Sequence, residues 1–219
     1  MHPAKAYALS ASPYTVATFR ALVEAIVPNT PELAVFGAEQ TTGAAEQGVQ
    51  DYLIWELDHT LALFFGMHLT NFPLSAPTAG MLNAGAVQLV ASGQALQAPN
   101  HTQWEISPYS AISPLDRIRV LAMLEELKVD LGALPPPYRG DGGLVKFIVD
   151  YLNRATMFGF YSEWPAYGTT RLAAPTERRL EYFPIGWRQA GYPGVSLGYR
   201  ALRGFLLTIV REGGESTIV

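Results

Sequence analysis

The sequence predicts an all-α fold: a single-domain irregular helical bundle of about six helices, with a long aromatic, Pro/Gly-rich region near its C-terminal end. Three observations carry that prediction. Apolar residues recur at three- and four-residue spacing along most of the chain. Ser-Pro pairs stand where helix N-caps and first-turn prolines belong. No stretch shows sustained period-two alternation between hairpin turns, and none alternates strand with helix. At 219 residues one core can span the whole chain, so residues 1–219 read as a single domain.

The first helix starts at Ser12-Pro13 and carries Val16, Phe19, Leu22, Val23, Ile26 and Val27 on one face until Pro28 stops it. The second is expected from Ala44 to Phe65, through Val49, Leu53, Leu57, Leu61 and Phe64; its second half is apolar nearly all round, which implies burial on several sides. A third, from about Ala79 to Gln97, places Leu82, Ala86, Leu89, Gly93 and Leu96 together. The fourth opens at Ser113-Pro114, has Asp116 in its first turn where the helix dipole favours an anion, and ends before the triple proline at Pro135. The fifth runs from Gly143 through Leu144, Ile148, Tyr151, Leu152, Ala155 and Gly159. A sixth, Leu197 to Val210, closes the chain.

Composition narrows the function classes. The apolar share is 49% and the charged share 16%, with aromatics at 11%, so a sizeable core is available. A net charge of −4 and a pI near 5.6 supply no basic field for phosphates, which argues against DNA or RNA as a partner. The absence of cysteine excludes disulfides, thiolate metal sites and cysteine-ligated clusters. The longest apolar run, Leu61 to Met67, falls far short of the roughly 20 residues that span a bilayer. As written, the N-terminal stretch carries neither a twin arginine nor a secretory apolar core, so the expected location is cytoplasmic, or exported if a signal has been trimmed.

Few residues point to chemistry. Glu56 and His59 form a Glu-x-x-His pair on a helix, the arrangement that aims a carboxylate and an imidazole at one metal in di-iron bundles. That chemistry needs a second such pair, and the chain has none; His68 adds no carboxylate. His101, expected on a loop near Glu105, lacks a nucleophile and an orienting acid, and its sequon Asn100-His101-Thr102 matters only in a glycosylating pathway. The Gly-rich Tyr138–Gly143 stretch lacks a phosphate-loop register and reads as a turn and helix start. Arg171, Arg178, Arg179 and Arg188 are interleaved with Glu177 and Glu181, which reads as a solvated face or a rim of interface salt bridges. No catalytic, cofactor-binding or metal residue is therefore assigned.

Two aromatic stretches remain. "FGFYSEWPAYG" ends the fifth helix and "GWRQAGYPG" follows about twenty residues later. Phe158 and Phe160 are expected to finish the chain's own core. Tyr and Trp pair an apolar body with a polar tip, which concentrates them at protein interfaces. The expected partner-facing set is Tyr161, Trp164, Pro165, Tyr167 and Gly168 with Trp187, Tyr192, Pro193 and Gly194; on residues alone, interface and core are both open.

"TMFGFYSEWPAYG" followed by "GWRQAGYPG" resembles the C-terminal signature of the gluconate 2-dehydrogenase subunit 3 family. "FRALVEAIVPN" is similar to that family's opening helix ending in Ile-x-Pro, and "GAAEQGVQDYLIWEL" to its next helix. The likeness covers most of the chain through short motifs in the right order. It implies a non-catalytic small subunit that stabilises, chaperones or helps export a large flavoprotein of the glucose–methanol–choline oxidoreductase type. In such a hetero-oligomer the partner holds the FAD and performs the hydride chemistry on a sugar, alcohol or related hydroxyl substrate, sometimes passing electrons to a multihaem cytochrome. Two departures are visible: the family's twin-arginine signal is missing here, and "TTRLAAPTERRLEYFPI" is inserted between Gly168 and Gly186. The alternative readings are a stand-alone helical metalloenzyme using Glu56 and His59, or a small-molecule-binding module.

Overall fold

The computed structural model describes residues 11–61, 72–194, 208–210 and 216–218. Helix α1, Pro13–Ile26, begins as expected: the Ser12 hydroxyl accepts a hydrogen bond from Thr15 N at 3.2 Å, and Pro13 occupies the first turn. Such a cap answers one of the amide donors every helix start leaves open. Phe19, Leu22 and Val23 are fully enclosed, because α1 lies at the centre of the bundle. It packs against α2 (Val49–Trp55), α3 (Ser75–Ala91), α5 (Pro108–Ala111) and α6 (Pro114–Glu125). Helix α7, Gly142–Tyr161, covers α2 and α6. Buried residues from Phe19 to Phe160 form one hydrophobic cluster across these helices.

Several boundaries differ from expectation, each for a local reason. The second helix begins at Val49 rather than Ala44, because Gly48 is left-handed with φ 67°. Its α geometry ends at Trp55 and passes into a π turn over Glu56–Thr60; the expected continuation to Phe65 lies outside the described residues beyond Leu61. Helix α3 starts earlier than Ala79 and stops before Gly93, whose φ of 68° ends the helix short of Gln97. Helix α6 ends where Leu127 turns left-handed at φ 56°. Asp141 caps α7, accepting from Leu144 N at 2.9 Å, so the Tyr138–Gly143 stretch is a turn and helix start.

Two short capped helices were missed as loop. Asn100 caps α4, His101–Trp104, and Ser107 caps α5. His101 thus stands on a helical first turn rather than a loop. The expected closing helix is also revised: Thr208–Val210 is a strand, β1, paired antiparallel with β2, Ser216–Ile218. The remainder of that expected helix lies outside the described residues. The body remains all-helical. Among the described residues no helix is long and apolar enough to cross a membrane.

Between α1, α3 and α5 lies a polar node. Asn83 donates to Thr18 Oγ1 and Ala79 O, both at 2.8 Å, and accepts from Tyr109 N at 2.9 Å and Ser107 Oγ at 3.0 Å. Every bond of this buried amide is used, which is the condition for a polar group to sit in a core without penalty.

Candidate functional site: an aromatic face at the end of α7

The region from Trp164 to Gly194 is ordered by short elements. A 3-10 segment spans Trp164–Thr170 with a kink at Gly168, another spans Pro175–Glu177, and α8 covers Ile185–Gln189. Gly168 has φ 48°, and the Glu181 carboxylate occupies the space a side chain there would take. Glu181 accepts from Thr169 N at 2.9 Å and from the Thr169 hydroxyl. Those bonds hold its carboxyl below the usual carboxylate range. The Tyr182 hydroxyl donates to Pro165 O.

Two close approaches bring the aromatic stretches together. At Gly159 a β-carbon would stand 2.6 Å from Tyr52 Cδ1, so α2 can press directly onto α7. At Gly186 it would stand 2.6 Å from Phe160 O and 2.8 Å from Tyr161 Cα, so the start of α8 rests on the end of α7. Beyond it, Trp187 meets Phe183 and Tyr192 edge to face, at 5.6 and 5.0 Å between ring centres. Tyr161, Trp187 and Tyr192 thereby join one surface, although some thirty residues separate the first from the last.

The expected interface set divides on this geometry. Tyr161 and Tyr192 are 41% and 45% exposed, Trp187 and Tyr167 are half-buried, Pro193 is exposed, and Gly168 and Gly194 are intermediate. Trp164 and Pro165 are enclosed by their own chain, which corrects their placement among partner-facing residues. Trp164 is 2% exposed, its indole donates to Gly48 O at 3.1 Å, and Tyr52 packs against its ring at 5.3 Å. Phe158 is corrected in the opposite direction. Expected in the core with Phe160, it is 64% exposed, because consecutive turns of α7 bury Ala155, Thr156, Gly159 and Phe160 and turn Met157, Phe158 and Tyr161 outward.

A second exposed apolar pair was not singled out from the sequence. Val35 and Phe36, in a 3-10 turn over Pro31–Phe36, are 81% and 74% exposed. The next turn, Ala38–Thr41, packs against α8, where Gln189 Nε2 donates to Glu39 O at 2.6 Å. Their consecutive apolar character in a short Pro-initiated segment was the available signal, and it carries no helical period to mark a face.

Behind the rings sits a layered stack. His59 lies on one face of Trp55 at 5.3 Å between ring centres. The Arg178 guanidinium carbon stands 4.7 Å from the Trp55 ring centre, 4.9 Å from that of Trp164 and 6.0 Å from that of Tyr167. Burial pulls the guanidinium below its ordinary range, opposed by the neighbouring Tyr167 hydroxyl and the Glu56 carboxylate. Glu56 accepts from the Tyr151 hydroxyl at 3.1 Å. Burial first, and then the Glu56 charge, raises the Tyr52 and Tyr151 hydroxyls well above the usual phenol range. Burial and Glu163 push Tyr167 up to about 12. All three phenols are therefore neutral donors at any physiological pH.

The residues singled out for chemistry do not converge. Glu56 and His59 stand on the π turn, a geometry frequent at functional sites, but the carboxylate is engaged by Tyr151 and His59 Nδ1 lies 2.9 Å from Trp55 O. Among the described residues no group of three His, Asp or Glu side chains gathers as metal ligands would. His68 lies outside the described residues, and His101 and Glu105 are exposed at opposite ends of α4. The arginine cluster is not a simple solvated face. Arg171 donates to Gln47 O at 3.3 Å beside Asp51, and Arg178 is stacked between indoles, because flat guanidinium faces pack on rings. Two clefts of about 320 Å³ are present among the described residues. One lies between α1, α6 and α7 around Ile118 and Val149, the other around Arg20 and Arg117. Neither is lined by the aromatic residues above.

Against known proteins, no family model, no curated protein and no solved structure matches this chain. The aromatic face therefore has to be interpreted from its own residues.

Proposed function

We propose that this chain is a non-catalytic small subunit that binds and stabilises a large FAD-dependent oxidoreductase of the glucose–methanol–choline type, one that acts on a sugar, alcohol or related hydroxyl substrate. The observation that carries the reading is the exposure of the large apolar side chains Phe158, Tyr161, Tyr192, Val35 and Phe36. Large apolar side chains left exposed on a rigid support mark contact sites, and here the α7–α8 junction supports Tyr161 and Tyr192. The resemblance of the "TMFGFYSEWPAYG" and "GWRQAGYPG" stretches to gluconate 2-dehydrogenase subunit 3 supplies the class of partner. Within it, FAD belongs to the partner, and a cytochrome accepts electrons in some assemblies.

The test is co-expression with a large FAD-dependent oxidoreductase of the glucose–methanol–choline type from the same source, followed by affinity capture on a tag carried by the small chain. The expected result is a yellow complex with a flavin absorbance band. Phe158→Ser combined with Tyr192→Ser should weaken capture at least tenfold while leaving the melting temperature of the isolated chain within about 2 °C, since surface substitutions away from the core change stability little. A monodisperse chain that captures no flavoprotein would refute the proposal. Stoichiometric iron or manganese in the purified chain would instead support the Glu56–His59 metalloenzyme reading.

A further inference from the structure

We infer that Arg178 and Trp55 form a socket for a single carboxylate group. Arg178 Nη2 and Trp55 Nε1 are both shut off from solvent, and neither donates a hydrogen bond. They belong to side chains in direct contact, with the guanidinium carbon 4.7 Å from the Trp55 ring centre. The guanidinium uses Nε on Ala173 O at 3.2 Å and otherwise faces rings. Among the described residues no acidic side chain hydrogen-bonds to it: Glu56, whose charge reaches it through space, accepts from Tyr151, and Glu163 accepts from Tyr167 at 3.2 Å.

A buried donor without an acceptor is costly, and more so when it is charged. Water can complete a hydrogen bond but adds no charge to the through-space attraction of Glu56. A carboxylate does both, with one oxygen accepting from Arg178 Nη2 in a charge-assisted bond. Its second oxygen then has the neighbouring indole N–H as a partner. Because both donors are covered, entry requires a neighbour to move. Tyr167 is the ring placed to do so: it is half-buried on a 3-10 turn, whereas Trp55 is fixed in α2 and Trp164 is enclosed. The inference does not rest on the accessory-subunit reading. A free small acid and an acidic side chain of another protein present the same group.

The test uses the full chain labelled with nitrogen-15, reading the Arg178 Nε–H and Trp55 indole N–H resonances. Sodium acetate and, separately, N-acetylglutamate amide are titrated at constant ionic strength, with sodium chloride as control. Saturable shifts at both resonances are expected. Trp55→Phe, which keeps the ring and removes the donor, should weaken binding read at Arg178 about fivefold, the worth of one hydrogen bond. Arg178→Lys, which keeps the charge and removes the fork, should weaken it about tenfold or more. Tighter binding of acetate identifies a free acid as the natural occupant; tighter binding of the capped glutamate identifies a protein side chain. Absence of saturation with either probe, equal shifts with chloride, or an unchanged affinity in Trp55→Phe overturns the socket.

Discussion

Replacing Gly186 with alanine tests whether the α7–α8 contact builds the aromatic face. The added β-carbon would stand 2.6 Å from Phe160 O and 2.8 Å from Tyr161 Cα. Both obstacles are backbone, and ordinary contact needs roughly 0.8 Å more, so α8 must lift rather than a side chain rotate. Overpacking of this kind costs about 1–3 kcal/mol. Gly186 lies in the first turn of α8, where alanine recovers about 0.5–1 kcal/mol of backbone entropy. At the middle of both ranges the net destabilisation is about 1.3 kcal/mol, or roughly 3–5 °C in melting temperature for a chain of this size. The lift separates Trp187 and Tyr192 from Tyr161. Amide hydrogen exchange should therefore accelerate in residues 185–192 while α1 stays protected, and capture of the proposed flavoprotein partner should weaken. The measurements are calorimetry, exchange mass spectrometry and affinity capture on the same samples. An alanine variant as stable as the parent, with unchanged exchange in α8, would show that the close packing at this junction does not hold the surface together.

Two further outcomes follow from the core. Asn83→Ala strips acceptors from Tyr109 N and Ser107 Oγ inside the bundle and should cost about 2–4 kcal/mol in urea unfolding; a loss below about 0.5 kcal/mol would contradict the role of the node. Asp116 is fully enclosed, and burial alone would raise its carboxyl. Hydrogen bonds from Leu96 N, Ser113, Arg119 and Gln97 N outweigh burial and hold it below the usual carboxylate range. A folded pKa below the unfolded value of about 3.9 means stability that is present above that pH and lost as pH falls through the folded value. The stability gap between the parent and Asp116→Asn should therefore be constant from pH 7 to about 5 and shrink below about pH 4; a gap independent of pH down to 2 would refute it.

Helix starts were legible where a Ser-Pro signal leads into a long apolar period, and not at Ser107-Pro108, whose helix is a single turn. Ser12-Pro13 and Ser113-Pro114 specify a cap and a first turn within four residues, and both helices begin there. Asp141 could have been recognised in the same way. The ends were less legible: Gly48 and Gly93 turn left-handed and set boundaries that apolar periodicity runs straight through. The π turn at Glu56–Thr60 left no mark, because it keeps the composition of the helix it interrupts. The two-strand pair was missed because three residues are too few to show alternation. Of the candidate site, the two aromatic stretches were visible in the sequence. Their meeting through Gly186, and the contribution of Val35 and Phe36, were not.

By itself, the sequence determined the all-α fold class, the helix starts at Ser12 and Ser113, the apolar face of α1, and the concentration of rings near its C-terminal end. Only the tertiary structure decided which rings are displayed. Trp164 went inside and Phe158 outside, the reverse of their expected placement. The physical reason is that period and polarity are properties of one helix, whereas burial depends on how closely a second one approaches. That approach is set by single glycines at positions 159 and 186, whose missing side chains are felt only across the packed interface.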